Sequence, residues 1–351
     1  MSKIYLDNAA TTQVDKEVLK AMEPFFCDIF GNASSLHSFG QEASSAVENS
    51  REKIADFLNC KSEEVIFTSG ATEANNIAIQ GLVKEGDHII TTSIEHPAVL
   101  ETCQYLEKKG VEVSYVKPQS DGVIKPEDVQ KEIKDNTVLI SIMYANNEIG
   151  TIQPIKEIGE IIKDKNIVFH TDAVQATGYL DMDVEKLNVN LLSLSGHKIY
   201  GPKGIGVLFV KKGTKVQKIQ HGGHHEFKIR PGTLNVPGIV GLNKAIELIQ
   251  TRNNKTIKEL RDYTFELISE KIKNIKLNGS LEQRLPNNLN VSIIGVEGEA
   301  LLLGLDMADI AVSTGSACSS GSLESSHVLK SLGLSHEDSH GSLRISLGKD
   351  N

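Results

Sequence analysis

The pattern of hydrophobic and polar positions alternates between strand-like and helix-like segments over about residues 60–210. Short continuous apolar runs, such as Thr137–Tyr144, predict strands that are buried on both faces. Segments with apolar residues at helical spacing, such as Gln41–Leu58, predict helices with one buried face. A shorter helix is predicted from about Lys16 to Phe26. This alternation predicts an α/β fold, in which a mostly parallel, doubly wound sheet has right-handed crossovers.

The last third of the chain has a different pattern. Helices are predicted at about Val236–Gln250 and Lys255–Lys273, and short strands near Leu289–Ile294, Ile310–Ser313 and Leu343–Gly348. We therefore expect a large domain over residues 15–250. A smaller α+β domain would comprise residues 1–14 and 251–351.

Polar residues follow several of the predicted strands of the large domain. Since such strands point the same way, their carboxyl ends meet at one edge of the sheet, where folds of this class bind ligands. The residues that would meet there are Thr72, His96, Asn147, Asp172 and Lys198. The glycine-containing turn before Thr72 also opens a predicted helix, and a helix N-terminus is a favourable phosphate site.

The most informative stretch is Ser193-Leu-Ser-Gly-His-Lys-Ile-Tyr-Gly-Pro-Lys-Gly204, in which Lys198 leaves a buried strand. A lysine in such a place can form a Schiff base with an aldehyde cofactor. Asp172 suits the pyridine nitrogen of pyridoxal phosphate (PLP), which needs a carboxylate partner, and Gln175 suits the ring hydroxyl. The alternatives are a solvated loop lysine, helix N-caps at Asp172 and Thr72, and a structural role for His96.

Two residues near the C-terminus are further candidates. Cys318 lies in a glycine- and serine-rich stretch that predicts a mobile loop, from which a thiol can reach a site as a nucleophile. The other cysteines, Cys27, Cys60 and Cys103, are expected to be buried small hydrophobes. Arg344, between apolar neighbours in a strand, suggests either a carboxylate clamp or a structural ion pair.

Composition narrows the range of functions. The chain has 351 residues and a formal net charge of −9, which argues against a nucleic-acid-binding surface. No apolar run approaches the length of a membrane span. The four widely spaced cysteines form no metal-binding pattern, and together with the lack of a signal-like start they suggest the cytoplasm.

Taken together, the motifs resemble those of the cysteine desulfurases, which are PLP-dependent enzymes of aminotransferase fold type I. The matching stretches run over nearly the whole chain: Tyr5–Thr12, Thr68–Asn76, Glu95–Pro97, Asn146–Gly150, Asp172–Gln175, Ser195–Gly204, Pro231–Asn235 in an altered form, and Gly315–Ser320. The last of them looks like the long catalytic loop of the group that serves iron–sulfur assembly and tRNA thiolation. The fold implied has a sheet of the seven-stranded type between helices.

The resemblance also implies roles for individual residues. Lys198 would bind PLP covalently and remove the α-proton of L-cysteine. Asp172 would contact the ring nitrogen, Gln175 the ring oxygen and His96 the ring face. The phosphate would be held by Ala71, Thr72, Ser195 and His197, and by Thr233 of a second subunit, so a homodimer is implied. Asn147 lies at the cofactor and, with Arg344, would hold the substrate.

In the implied reaction, the Cys318 thiolate takes the sulfur of L-cysteine as a persulfide and L-alanine is released. The sulfur would pass to an iron–sulfur scaffold or another acceptor protein. The chain departs from the family at Phe227, where arginine is usual, and at Pro231, where serine is common, which puts the ion pairing and dimer contacts of that loop in question. Relatives usually continue with a further helix, so a different coupling to the scaffold is expected.

Two other functions are weighed beside this one. The first is a selenocysteine lyase or related PLP lyase on the same scaffold. The second is a non-catalytic homologue that acts only as a binding partner.

Overall fold

The computed structural model describes residues 3–314 and 326–351. The strands of these residues are β1 (Ile4–Tyr5), β2 (Val65–Thr68), β3 (His88–Thr92), β4 (Glu112–Val116), β5 (Thr137–Ser141), β6 (Val168–Asp172), β7 (Leu191–Ser195), β8 (Gly206–Val210), β9 (Ile275–Leu277), β10 (Asn288–Ile293), β11 (Ile310–Ala311) and β12 (Ser342–Ser346). The helices are α1 (Lys16–Met22), α2 (Pro24–Cys27), α3 (Ser38–Leu58), α4 (Ala71–Gln80), α5 (Pro97–Glu107), α6 (Pro126–Lys131), α7 (Ile155–Ile162), α8 (Val184–Leu187), α9 (Val236–Gln250), α10 (Asn254–Lys271), α11 (Gly298–Met307), α12 (His327–Ser331) and α13 (His336–His340).

The central sheet has seven strands in the order β2-β8-β7-β6-β5-β3-β4. Only β8 runs antiparallel to its neighbours. Every residue of β2, β3, β7 and β8 is buried, which agrees with the continuous apolar runs of the sequence. The α/β class and the mostly parallel seven-stranded sheet are therefore confirmed.

Two smaller sheets involve the last third of the chain. An antiparallel sheet has the order β12-β10-β9, and β1 pairs with β11 in parallel. Asp7 also bridges to Ser346. The first residues thus pair with strands from the end of the chain, while the division into two domains stays a prediction.

Three details differ from the sequence predictions. The helix predicted from Lys16 to Phe26 is divided into α1 and α2, because Pro24 has no N–H to continue the first helix. The strand predicted at Thr137–Tyr144 is regular only as far as Ser141, although the N–H groups of Ile142 and Tyr144 still donate to carbonyl oxygens of β6. Cys27 is exposed rather than buried, since no residue of the short helix α2 is fully buried, whereas Cys103 is buried and Cys60 is half-buried.

No helix of residues 3–314 and 326–351 is both long and apolar enough to cross a membrane.

Candidate active site

A cavity of about 600 Å³ opens at the carboxyl ends of the parallel strands. Ten of the predicted site residues line it: Ala71, Thr72, His96, Asn147, Asp172, Gln175, Ser195, His197, Lys198 and Arg344. Thr233 does not line the cavity and is exposed. Cys318 lies outside the residues that the structure describes. The residues expected to meet at the strand ends therefore line one cavity, apart from Thr233, which was expected to act in a second subunit.

Lys198 ends a short 3-10 turn, Gly196–Lys198, that directly follows β7. Its Nζ donates to the carbonyl oxygens of Ala9 at 2.6 Å and Ala10 at 2.7 Å. The Nε2 of Gln175 donates to the same Ala9 oxygen at 3.0 Å. Lys198 is half-buried and points into the cavity wall, so the alternative of a solvated loop lysine is wrong.

Asp172 is the last residue of β6 and is only 6% exposed. One of its oxygens accepts from Asn75 Nδ2 at 2.7 Å, and the other accepts from the backbone N–H of Val174 at 3.0 Å. No regular helix begins before Val184, so Asp172 is not the N-cap of one. Its bond to Val174 is nevertheless of the capping type, because it starts a turn in which the N–H of Thr177 donates to the carbonyl oxygen of Ala173 at 2.9 Å. Hydrogen bonds from Asn75 and Val174 therefore hold the two carboxylate oxygens at the cavity.

The amino end of α4 faces the same cavity. Its N-cap is Gly70, not Thr72, and no side chain caps this end of the helix. The φ of Gly70 is 154°, a conformation that a residue with a Cβ rarely adopts. Uncapped N–H groups together with the helix dipole make this end a favourable site for an anion. The hydroxyl of Ser195 lies across from it: a Cβ on Gly70 would be 4.0 Å from Ser195 Oγ.

The two histidines of the cavity are both held by hydrogen bonds. His96 caps α5 by accepting from the N–H of Ala98 at 3.1 Å, so its structural role is real and it also lines the cavity. Burial lowers its pKa, Asp172 opposes this shift and Lys198 adds to it. Burial also lowers the pKa of His197, to about 4, and its Nδ1 lies 3.2 Å from Thr11 Oγ1. Both rings are therefore expected to be neutral at pH 7.

Arg344, on β12, is 2% exposed and makes a structural ion pair. Its Nη2 donates to Asp7 at 2.8 Å and its Nη1 donates to the carbonyl oxygen of Asn147 at 3.0 Å. Its buried Nε has no partner within the described part of the chain. The ion-pair alternative is thus observed, and one donor is left for a further group.

The glycine-rich loop before Thr233 has ion pairs of its own despite its unusual sequence. The carboxylate of Glu226 pairs with both terminal nitrogens of Arg51, at 2.7 and 2.9 Å. Arg230 pairs with Glu73 at 3.0 Å. Phe227, at the position where arginine is usual, lies with its ring 5.2 Å from the Arg51 guanidinium.

These residues fit PLP. The cavity offers an amine at Lys198, a fixed carboxylate at Asp172 and an uncapped helix end at Gly70, the three groups that the aldehyde, the ring nitrogen and the phosphate require. Sequence reasoning missed Asn75, which orients Asp172, and Thr11, which contacts His197. Both lie in motifs that carried the family resemblance, and the polar Asn75 within the buried face of α4 was the available signal.

Comparison with known proteins agrees with the fit of these residues to PLP. The family model Aminotransferase class-V matches residues 4–351. A cysteine desulfurase IscS of Clostridium botulinum is 52% identical over 358 residues, which cover 99% of this chain and 90% of that relative. A cysteine desulfurase IscS of Methanosarcina thermophila is 53% identical over 355 residues, covering 99% of this chain and 88% of that one.

Two solved structures are similar over nearly their full lengths. A NifS-like protein has a TM-score of 0.91 and 39% identity, covering 98% of this chain and 93% of its own. A structure described as SspA in complex with cysteine has a TM-score of 0.89 and 40% identity, covering 99% of both chains.

Proposed function

The chain belongs to the class-V aminotransferase family. Because its relatives named cysteine desulfurase IscS share 52% and 53% sequence identity with it, we propose that it is a PLP-dependent cysteine desulfurase. It converts L-cysteine to L-alanine and transfers the sulfur to a protein thiol. The observation that carries the proposal is that Lys198, Asp172 and the uncapped end of α4 line one cavity.

Each part of the cavity has a role in holding the cofactor. Lys198 Nζ would bind it covalently, and the Asp172 carboxylate would hold the proton on the ring nitrogen. Ala71 and Thr72, with Ser195 and His197, would surround the phosphate; a neutral His197 donates there without adding charge. When bound, PLP supplies a protonated ring that accepts electrons as substrate bonds break.

The substrate would lie between the ring and the opposite wall of the cavity. Arg344 and Asn147, which both line the cavity, would hold its carboxylate, and Lys198 Nζ, once released, would take the α-proton of cysteine. His96 would lie against the ring face. The neutral state favoured by burial suits a stacking group that can also accept a proton.

Sulfur transfer needs a thiolate, and we assign it to Cys318. As its sulfur bonds to the substrate sulfur, the Cβ–S bond of the substrate breaks. The carbon then takes up a proton, so that Cys318 becomes a persulfide and alanine leaves. Selenocysteine would be cleaved in the same cavity without that thiol if the protein were instead a selenocysteine lyase.

The proposal extends to partners and location. Thr233 is exposed and lies outside the cavity of its own chain, as expected of a residue that completes the site of a second copy in a homodimer. The persulfide would be passed to an iron–sulfur scaffold or another acceptor protein. We place the protein in the cytoplasm, where the free thiols of Cys27, Cys60 and Cys103 are compatible with reducing conditions.

The test measures both the alanine that is formed and the residue that receives the sulfur. The PLP-loaded protein is incubated with sulfur-labelled L-cysteine, alanine is quantified, and mass spectrometry locates the added sulfur. We expect alanine formation, label on Cys318, and a visible absorption band that is absent in Lys198→Ala. Cys27→Ser is the matched control for an exposed thiol and should change neither result.

Two outcomes would contradict the proposal. Unchanged cysteine turnover in Cys318→Ala, with faster turnover of selenocysteine, would favour the lyase. Bound PLP with no alanine from either substrate would favour the non-catalytic homologue.

A further inference from the structure

The described residues on either side of segment 315–325, which carries Cys318, are both held close to the cavity. On the incoming side, Ser313 and Arg344 exchange two backbone hydrogen bonds, of 3.1 and 2.7 Å. On the outgoing side, the Ser326 hydroxyl donates to the carboxylate of Glu148. Glu148 directly follows Asn147, whose carbonyl oxygen accepts from Arg344. Ser313 and Ser326 are therefore each bonded to a residue that lines the cavity or to its direct neighbour in sequence.

Ser326 has two roles at once. As the N-cap of α12, its oxygen accepts from the N–H groups of Val328 at 3.1 Å and Leu329 at 3.2 Å. Its proton goes to Glu148. A serine N-cap needs only the first of these, and a buried carboxylate beside it is not required for capping.

The outgoing end is held by further contacts. His327 Nε2 lies 3.0 Å from the carbonyl oxygen of Glu95, the residue before His96. Helix α12 also shares an apolar cluster with the loops after β3 and β5, formed by Ile94, Ile149, Val328, Leu329, Leu332 and Leu334. The start of α12 thus contacts the residues next to both His96 and Asn147.

Glu148 is an unfavourable residue to bury unless its contacts are needed. It is 6% exposed, and burial raises its pKa to about 7, while the Ser326 hydrogen bond and the charge of Arg344 oppose that rise. An apolar residue would fill the space without this desolvation cost. The hydrogen bond to Ser326, where the described chain resumes after the Cys318 segment, gives a reason for a carboxylate at this position.

We propose that Glu148 and Ser326 are positioning residues, whose hydrogen bond holds the point where the chain returns from the Cys318 segment next to Asn147 at the cavity and thereby sets the rate of sulfur transfer. This inference rests on the proposed desulfurase function. Neither residue lines the cavity, and Glu148 interacts with one predicted substrate group, Arg344, through its charge only.

The test uses the PLP-loaded full chain. We expect Ser326→Ala and Glu148→Ala to lower kcat for alanine formation about tenfold or more, the factor typical of losing a hydrogen bond to a charged group. The KM for cysteine and the cofactor absorption band should stay within about twofold. Ser326→Thr and Glu148→Gln, which keep a hydroxyl donor and an acceptor, should recover most of the rate.

Coupling and a matched control make the test specific. The double variant Ser326→Ala/Glu148→Ala should be no slower than the slower single one, because both remove the same bond. Ser335→Ala removes the N-cap of α13 by the same substitution and has no contact with Glu148. It should leave kcat within about twofold.

A readout independent of turnover separates this inference from the function on which it rests. Hydrogen exchange of a peptide spanning 326–334 should be faster in Ser326→Ala than in the parent protein. If the parent forms no alanine, the proposed function fails. Faster exchange with unchanged kcat, an equal loss of kcat in Ser335→Ala, or parallel changes in KM and cofactor binding would each overturn the positioning role.

Discussion

The ion pair between Arg51 and Glu226 gives a prediction that links the unusual glycine-rich loop to stability. The two side chains are 3% and 1% exposed, so the pair is fully removed from solvent. Glu226 accepts three hydrogen bonds: two from Arg51, at 2.7 and 2.9 Å, and one from the N–H of Phe67 at 2.7 Å. We therefore expect Glu226→Gln to destabilise the fold strongly although it keeps the size of the side chain.

The size of the expected destabilisation follows from counting the hydrogen-bond donors that lose their partner in Glu226→Gln. A glutamine oxygen in place of the Oε2 atom keeps the bonds from Arg51 Nη1 and Phe67, but its NH₂ group then faces Arg51 Nη2. The opposite orientation loses two bonds. In either orientation at least one buried charged donor of Arg51 is left unpaired, while the bonds of Arg51 to Glu48 and to the Val65 carbonyl are retained. Losing one partner of such a pair costs about 3–5 kcal/mol, and the retained bonds reduce this to about 2–4 kcal/mol.

The assay is urea unfolding followed by circular dichroism, since the chain has no tryptophan. Glu247→Gln is the matched control, because Glu247 pairs with Lys53 at 2.6 Å but the side chains are 34% and 56% exposed. We expect the control to lower the free energy of unfolding by less than about 1 kcal/mol. Equal effects of the two substitutions would refute the reasoning that burial gives the Arg51 pair its importance.

Three further predictions concern the site and the core. Asn75→Ala removes a hydrogen bond to Asp172 and should weaken PLP retention about tenfold in an absorbance titration, whereas Asn76→Ala, one residue along α4, should not. Burial lowers the pKa of His170 to about 3. Between pH 6.5 and 3 only the unfolded chain binds a proton at this residue, so the free energy of unfolding should fall by about 1.4 kcal/mol for each unit by which the pH is lowered. His170→Asn should reduce this dependence on pH when the free energy of unfolding is measured in urea. Burial raises the pKa of both Cys60 and Cys103 to about 12, so iodoacetamide at pH 8 should spare them in mass spectra of the native protein, and their early labelling would contradict the described burial.

The sequence was sufficient to predict the sheet because most of its strands are buried on both faces and several carry continuous apolar runs. The same signal extended β5 beyond its regular end. Residues 142–144 are as apolar as the strand before them, and the N–H groups of Ile142 and Tyr144 still donate to carbonyl oxygens of β6, but the regular strand ends at Ser141 and Met143 lines the cavity. Hydrophobicity reports burial and does not report where a regular strand ends.

The site was predictable where a residue follows a strand, as Asp172 and Lys198 do. It was not predictable where the contact is between distant segments. Asn75 and Asp172 are 97 residues apart in sequence, and Arg344 and Asp7 are 337 apart. Periodicity gives the face of α4 on which Asn75 lies but not the carboxylate opposite it.

Arg344 illustrates why the two interpretations of a buried arginine need not exclude each other. A guanidinium that is 2% exposed would be unstable without a counter-charge, and Asp7 supplies one whether or not substrate is present. A clamp with no such partner would be costly in the empty site, and a purely structural pair would not need to line the cavity, as Arg344 does. The two interpretations agree if Asp7 holds the charge in place and the guanidinium also binds the substrate carboxylate at the cavity.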